Sequence, residues 1–266
     1  MKRNLAVCVF LAIVLLAGIF IYKARRQSFF GPGGGVVSLL PSTTEILFEL
    51  GQNNITGVGT FCNWPPQTEN IQKLGDSFSA DVEAIYALRP ARVYITASEF
   101  DLKTRLENLN IPAVAIADAR SIEDTYNNIE FIAAVEGLDA APLINELKKY
   151  AVSKPDKKIK AFIELDNGLW TTGGQSFIND LIEYAGAENI FKNTDAAYFQ
   201  APLEAILSQK PAIIISIKPR HLEGDYLPPE LKKLKIIRLN PDIYARPAPR
   251  AIRSIPALKG MLNENL

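Results

Sequence analysis

The chain has 266 residues, of which 48% are hydrophobic and 22% are charged, and these values are typical of a globular protein with a full core. Its 29 basic and 29 acidic side chains cancel, which argues against a nucleic-acid partner because phosphate neutralisation needs clustered Lys and Arg. The two cysteines, Cys8 and Cys62, lie in unlike settings and indicate no disulfide framework.

An apolar segment opens the chain. Residues 5–22 are all apolar, small or Tyr, and basic residues flank them on both sides. At ~1.5 Å per residue a helix of this length spans about 27 Å, close to the bilayer core. We predict an uncleaved membrane anchor that tethers an exported domain, with a cleaved signal peptide or a buried helix as alternatives. Residues 1–35 form this region, ending in the glycine-rich hinge GPGGG.

Strand and helix patterns alternate in the next part of the chain, residues 36–120. Ser42 stands three residues before Glu45, the spacing of a capping box at a helix start. The predicted elements are strands at 36–40, 54–60, 91–96 and 111–116 and helices at 42–50, 81–88 and 101–109. Such alternation indicates parallel strands packed between helices.

The last part of the chain, residues 155–266, repeats the scheme. A turn at Gly173 and Gly174 leads into one of its helices. The predicted elements are strands at 159–165, 212–217 and 233–239 and helices at 177–186, 202–209 and from about 249 onward. The segment EAIYALRPARVYI, residues 83–95, also returns as EAILSQKPAIIIS, residues 204–216. We therefore predict two similar Rossmann-like lobes with mainly parallel sheets.

A helical linker, residues 121–154, joins the two predicted lobes. Ser121 caps one helix that Gly137 ends, and Pro142 begins a second helix that runs to about Ser153. A single long connection would hold the lobes at a nearly fixed separation. Because pockets favour domain interfaces and the carboxyl ends of parallel strands, we expect a ligand cleft between the lobes.

Several blocks along residues 36–266 carry a family resemblance. These blocks are VVSLLPSTTEILFELG, GVGTFCNWPPQ, the segment that starts at Glu83, GGQSFINDLIEYAGAENIF and PDIYARPAPRAI. In this order they resemble the helical-backbone (class III) periplasmic binding proteins, which serve ABC importers of cobalamin, siderophores and haem. GAENIF and the segment from Asp242 to Arg246 are most similar to the vitamin B12-binding branch.

The resemblance implies partners and two docking residues. In the family, a surface glutamate on each lobe docks onto arginines of the membrane permease, which works with an ATPase. Glu83 and Glu204 match these positions, and carboxylates far apart on a rigid body give both register and charge complementarity. The alternative is that each glutamate only favours a helix start.

The resemblance also implies a set of ligand contacts. The positions that match the B12 branch, together with two neighbours, are Phe61, Trp64, Ser77, Thr96, Trp170, Tyr198, Asp242, Tyr244 and Arg246. Aromatic rings suit a flat macrocycle. Ser77 and Thr96 stand where the B12 branch carries tryptophans, so a ferric siderophore or haem is an alternative to a corrinoid. Core packing of the aromatic residues and a local ion pair between Asp242 and Arg246 are the structural alternatives.

Neither a cofactor nor catalysis is expected from the residue pattern. Cys62 is interpreted as a structural residue, and the single histidine, His221, cannot build a multi-histidine metal site. The expected ligand is therefore a chelated metal rather than a free ion. Motifs of hydrolases, metalloproteases and P-loop enzymes do not occur, so the chain is interpreted as a receptor and not as an enzyme. An interaction scaffold with a degenerate cleft is the remaining alternative.

Overall fold

The computed structural model describes residues 34–219 and 226–264, which divide into two compact α/β units. The first unit contains 34–40, 54–62 and 68–115, and the second contains 41–53, 63–67 and the described residues from 116 onward. The predicted two-lobe architecture is confirmed. However, segments 41–53 and 63–67, which the sequence pattern assigns to the first lobe, pack with the second unit, as does the linker 121–154.

The described strands and helices are numbered in chain order. The strands are β1 (Val36–Ser38), β2 (Ile55–Val58), β3 (Gln72–Lys73), β4 (Arg92–Thr96), β5 (Ala113–Ile116), β6 (Ile159–Glu164), β7 (Trp170–Thr172), β8 (Ala187–Asn189), β9 (Tyr198–Gln200), β10 (Ile213–Ser216) and β11 (Lys235–Arg238). The helices are α1 (Pro41–Glu49), α2 (Val82–Leu88), α3 (Phe100–Asn108), α4 (Ile122–Glu136), α5 (Ala141–Leu147), α6 (Phe177–Ala185), α7 (Leu203–Gln209), α8 (Pro229–Lys232), α9 (Pro241–Tyr244), α10 (Pro249–Arg253) and α11 (Ile255–Asn263).

A five-stranded sheet forms the centre of the first unit, in the order β3-β2-β1-β4-β5. Strand β1 pairs in parallel with β2 and β4, and β2 pairs in parallel with β3. The core that covers this sheet includes Val37, Leu39, Leu74, Ile85, Val93, Ile95, Leu102 and Leu106. Because these strands run in one direction, the loops that follow β2, β3 and β4 leave from the same edge of the sheet.

The second unit is built on a four-stranded parallel sheet, in the order β11-β10-β6-β8. A two-stranded antiparallel ribbon, β7 and β9, accompanies it. Phe199 of the ribbon packs edge-on against Phe191 at 5.3 Å between ring centroids, and Phe191 packs against Phe162 of β6 at 6.5 Å. These ring contacts fix the ribbon to the core of the second unit.

The repeated segment forms the same local structure in both units. Its two copies begin at the second residues of helices α2 and α7, each of seven residues. Ile85 and Ile206 point into the two cores with no exposed surface. Arg89 and Lys210 end the helices in the left-handed conformation, with φ of 48° and 52°, immediately before a proline. The sequence repeat is thus a repeat of helix, helix end and following strand.

The predicted order of the main elements is confirmed, and the differences are local. Ser121 accepts a hydrogen bond from the Asp124 N–H at 3.0 Å and Gly137 ends α4 at φ 70°, as the sequence predicts. The second linker helix, α5, ends at Leu147, earlier than the predicted Ser153. The capping box is wrong, because Ser42 lies inside α1 and the Glu45 carboxylate binds arginines instead.

The proposed anchor, residues 5–22, and most of the hinge lie outside the described residues, as does His221. Within 34–219 and 226–264, no helix is long and apolar enough to cross a membrane.

Candidate ligand-binding site

The three predicted ligand residues of the first unit follow strands of its parallel sheet. Phe61 comes after β2 and is 61% exposed. Ser77 follows β3 but is only 5% exposed, so its side chain points into the unit. Thr96 ends β4, and its hydroxyl lies 3.1 Å from that of Ser98. Of the three, Phe61 is the most exposed.

An exposed aromatic pair marks the ribbon of the second unit. Trp170 pairs with Gln200, and Tyr198 pairs with Thr172, so Trp170 and Tyr198 are diagonal neighbours on one face. They are 44% and 58% exposed, whereas Phe199 faces the core. Loss of solvation around the Tyr198 hydroxyl raises its pKa, and the negative charge of Asp118 adds to this effect. The pair therefore offers two aromatic faces and a neutral phenol.

A cluster of charged groups holds Asp242 and Arg246, which the sequence predicts to bind ligand. One carboxylate oxygen of Asp242 accepts from the Arg246 guanidinium, and the other accepts from Asn63 Nδ2 at 2.9 Å. Arg246 Nη1 also donates to Asn63 Oδ1 at 2.7 Å and lies 3.5 Å from Glu45 Oε1. The local ion pair is thus present, and 44% of the Asp242 side chain is exposed against 13% for Arg246.

Glu45 and Arg250 complete this cluster, although neither is predicted from the sequence to lie in the site. Arg250 grips the Glu45 carboxylate with two hydrogen bonds, Nε to Oε2 at 3.2 Å and Nη2 to Oε1 at 2.7 Å. It also donates to the Asp242 carbonyl at 2.6 Å. Glu45 and Arg250 are 205 residues apart, so no local pattern predicts their pairing. The one hint in the sequence is the high density of arginines after Asp242, which suggests that they need acidic partners.

Two aromatic residues near the cluster differ in their exposure. Trp64 is 39% exposed, and the Arg250 guanidinium lies over its ring at 4.7 Å from the centroid. Trp64 also lines an open pocket of about 290 Å³ together with Glu45, Phe48, Glu49, Pro65 and Gln67. Tyr244 is buried, with 6% of its surface exposed, which leaves little area for a ligand.

Burial controls the ionisation of Glu45. Desolvation raises the pKa of this carboxyl above 4.5, and Arg250 and Arg246 offset part of the rise. A carboxyl whose pKa is higher in the folded state stabilises the fold most below its unfolded pKa, and this contribution is lost as pH rises through the folded pKa.

The Glu45→Gln variant tests this linkage. Since Gln cannot ionise, the wild type should lose stability relative to the variant as pH rises from about 4.5, the unfolded value. Urea unfolding of both proteins at several pH values between 4 and 8 measures the difference in their free energies of unfolding. The other titrating groups are the same in both proteins, so their contributions cancel in this difference. A difference that moves in the opposite direction would show that the arginines lower the pKa of Glu45 below its ordinary value.

The two predicted docking residues are exposed at equivalent positions. Glu83 and Glu204 lie in the first turns of α2 and α7, with their side chains toward solvent. Three residues further on, each helix carries an exposed apolar side chain, Tyr86 at 55% and Leu207 at 39%. Both helices thus present a carboxylate beside an apolar group.

Metal-binding side chains are sparse. Within 34–219 and 226–264 no three His, Cys, Asp or Glu residues are grouped so that they could hold a metal ion. Cys62 is fully buried, and its thiol donates to the Ser38 carbonyl at 3.7 Å, which favours a structural role.

Comparison with known proteins identifies the family. The sequence matches the periplasmic binding protein family over residues 36–233. The chain belongs to this family. It is 28% identical to an uncharacterised ABC transporter substrate-binding lipoprotein of Bacillus subtilis (strain 168), over 84% of this chain and 78% of that protein. It is 26% identical to a vitamin B12-binding protein of Salmonella choleraesuis (strain SC-B67), over 95% and 96% of the two chains.

A solved structure supports the fold. The periplasmic heme-binding protein of Roseiflexus sp. RS-1, in its apo form, superposes with a TM-score of 0.76 at 18% identity, over 88% of this chain and 99% of that one. The family and these relatives are substrate-binding proteins and not enzymes, and the Bacillus relative is a substrate-binding lipoprotein of an ABC transporter.

Proposed function

We propose that this substrate-binding protein captures a flat metal chelate of the corrinoid class and delivers it to its permease. The observation that carries the proposal is the exposed pair of Trp170 and Tyr198 on one face of the β7–β9 ribbon. Rings that are fixed by the strand offer apolar area with little conformational entropy to lose. The similarity to a vitamin B12-binding protein along 95% of the chain supports the same ligand class.

Haem is the main alternative ligand, and one observation disfavours it. When tyrosine ligates haem iron it binds through its phenolate. Desolvation, and then the charge of Asp118, raise the pKa of Tyr198, so ionising this phenol costs more than ionising an ordinary tyrosine. A corrinoid brings its own axial ligands and needs only stacking and hydrogen bonds from the protein.

Asp242 is the group that we assign to the polar edge of the ligand. Arg246 and Asn63 orient its carboxylate, and 44% of the side chain still faces solvent. Carboxylate lone pairs accept hydrogen bonds from the amide groups that surround a corrin ring. Arg246, which is 13% exposed, acts mainly by positioning Asp242.

Delivery is assigned to Glu83 and Glu204. Each carboxylate would meet an arginine of the permease, with Tyr86 or Leu207 in apolar contact beside it. The equivalent exposure of both groups on α2 and α7 supports this docking mode. We further propose that residues 5–22 tether the protein to the membrane, in keeping with its lipoprotein relative.

The ligand assignment is tested by titration with cyanocobalamin, haemin and a ferric catecholate siderophore. Binding is followed in the visible spectrum and by quenching of the two tryptophans, Trp64 and Trp170. Cyanocobalamin should bind, and Trp170→Ala or Tyr198→Ala should weaken it about tenfold, the loss of one stacking ring.

Phe131→Ala serves as the control, since it removes a 46% exposed ring from α4. Its affinity and melting temperature should match the wild type. If haemin binds and cyanocobalamin does not, the ligand is haem and not a corrinoid. If none of the three chelates binds, the proposed function is contradicted.

A further inference from the structure

Two phenylalanines of the first unit expose more of their surface than this residue type usually does. Phe78 is 84% exposed and Phe100 is 76% exposed, whereas phenylalanine is normally among the buried residues. Phe61, already a predicted ligand residue, is 61% exposed in the same unit. Neither core packing nor a strand pairing explains the first two rings, so they point to a function at the surface.

All three rings belong to one edge of the parallel sheet. Phe61 follows β2, Phe78 follows β3 and Phe100 follows β4. Strands β3, β2, β1 and β4 are neighbours in this order and run in the same direction. Their carboxyl ends cover three strand spacings, about 14 Å, and α/β proteins bind small ligands at such edges.

The loop that carries Phe78 is held in one conformation. The Asp76 carboxylate accepts hydrogen bonds from the backbone N–H groups of Phe78 and Ser79, at 2.8 and 2.9 Å. Gly75 has φ of 82°, and a Cβ there would lie 2.2 Å from the Ser79 carbonyl oxygen. Ser77 turns inward as a result, and Phe78 turns outward. The ring is therefore preorganised for contact.

Phe100 is fixed by the start of α3. It is the first residue of this helix, and its carbonyl accepts from the Thr104 hydroxyl at 2.9 Å. Thr96 and Ser77 occupy the two positions where the resemblance predicts tryptophan. An exposed phenylalanine follows each of them closely, Phe100 four residues after Thr96 and Phe78 directly after Ser77.

The charges beside these rings favour a ligand without carboxylates. Asp76 precedes Phe78, and Glu99 and Asp101 flank Phe100. These acidic groups repel anionic lipid headgroups and the propionates of haem, whereas the neutral amides of a corrinoid are tolerated. The surface therefore fits an uncharged flat face better than a membrane or a haem edge.

We propose that Phe78 and Phe100, together with Phe61, form the stacking surface of the first unit for a neutral, flat corrinoid ring. This inference rests on the proposed function and supplies the aromatic area that Ser77 and Thr96 lack.

The test compares Phe78→Ala, Phe100→Ala and the double variant in cyanocobalamin binding. Each single change should weaken binding about tenfold and the double change about a hundredfold. Both tryptophans belong to the second unit, so their quenching reports binding without direct interference from the substitutions. The melting temperatures should stay at the wild-type value because the rings are exposed.

Matched variants separate stacking from a general surface effect. Phe131→Ala removes a 46% exposed ring from α4, away from this sheet edge, and should leave the affinity unchanged. Phe78→Trp should keep the cyanocobalamin affinity, because it retains an aromatic ring. Asp76→Ala should lower the affinity, because the turn that orients Phe78 loosens although both rings remain. If the wild type binds cyanocobalamin and the double variant binds equally well, the stacking surface is wrong although the proposed function stands. If the wild type binds no chelate, both are overturned.

Discussion

Replacing Arg250 with Ala is expected to lower the free energy of unfolding by about 3 kcal/mol. The Glu45 side chain is 2% exposed, and Arg250 makes two hydrogen bonds to its carboxylate. Without Arg250 the charge stays buried, and among the described residues Arg246, at 3.5 Å from Glu45 Oε1, is the remaining cation that compensates it. This remaining contact is why the loss is placed at the lower end of the range for broken buried pairs. Urea unfolding at pH 7 measures the effect.

Arg253→Ala is the matched control, since it removes an arginine from the same helix. Arg253 binds Glu49 and Glu146, but its side chain is 31% exposed and those of its partners are 33% exposed. Because solvent screens such pairs, the loss should be at most about 1 kcal/mol. Glu45→Gln combined with Arg250→Ala should recover part of the larger loss, because no unpaired buried carboxylate remains. Equal losses for Arg250→Ala and Arg253→Ala would mean that burial of Glu45 does not decide the stability.

The sequence predicts those parts of the fold whose signal is local. The apolar runs that became β1, β4, β6 and β10 are buried on both faces, so their composition identifies them. Ser121 and Gly137 act at the ends of α4 through contacts within a few residues. Local interactions of this kind can be predicted from the sequence, because both partners are already close in the chain.

The missed elements depend on pairing between distant residues. Strand β8 has the sequence AEN and β3 the sequence QK, and neither has the apolar run or alternation that predicts a strand. They are strands because a neighbouring strand supplies their hydrogen-bond partners. The same limit explains the Glu45 error, since its true partner, Arg250, lies 205 residues away.

The candidate site shows a similar division. The ribbon pair, Trp170 and Tyr198, was predicted from the sequence and is exposed as a ligand contact requires. Ser77 was also predicted, but its backbone turn directs the neighbouring Phe78 to the surface instead. The family resemblance predicts which position along the chain contacts the ligand. The hydrogen bonds of Asp76, which only the structure shows, decide which side chain of the loop reaches solvent.

Charge reversal at both docking positions should abolish delivery without affecting capture. In Glu83→Lys and Glu204→Lys, each lysine would face a permease arginine, and like charges opposed at an interface cost several kcal/mol. Uptake should fall for either variant and fall further for the double variant. Cyanocobalamin affinity should stay near the wild-type value, because both residues lie on α2 and α7 rather than on the ribbon or in the loops that carry the aromatic rings.

The control must separate docking from the weakening of a helix start. A carboxylate in the first turn of a helix is worth about 0.3 to 1 kcal/mol, so both reversals slightly lower the melting temperature. Glu123→Lys makes the same change in the first turn of α4, outside the repeated segment, and should cost similar stability while leaving uptake intact. The defect of the docking variants should ease as salt rises, since rim charges are screened. Normal uptake by the double variant, or an equal defect in Glu123→Lys, would show that the repeated glutamates serve the helices and not the permease.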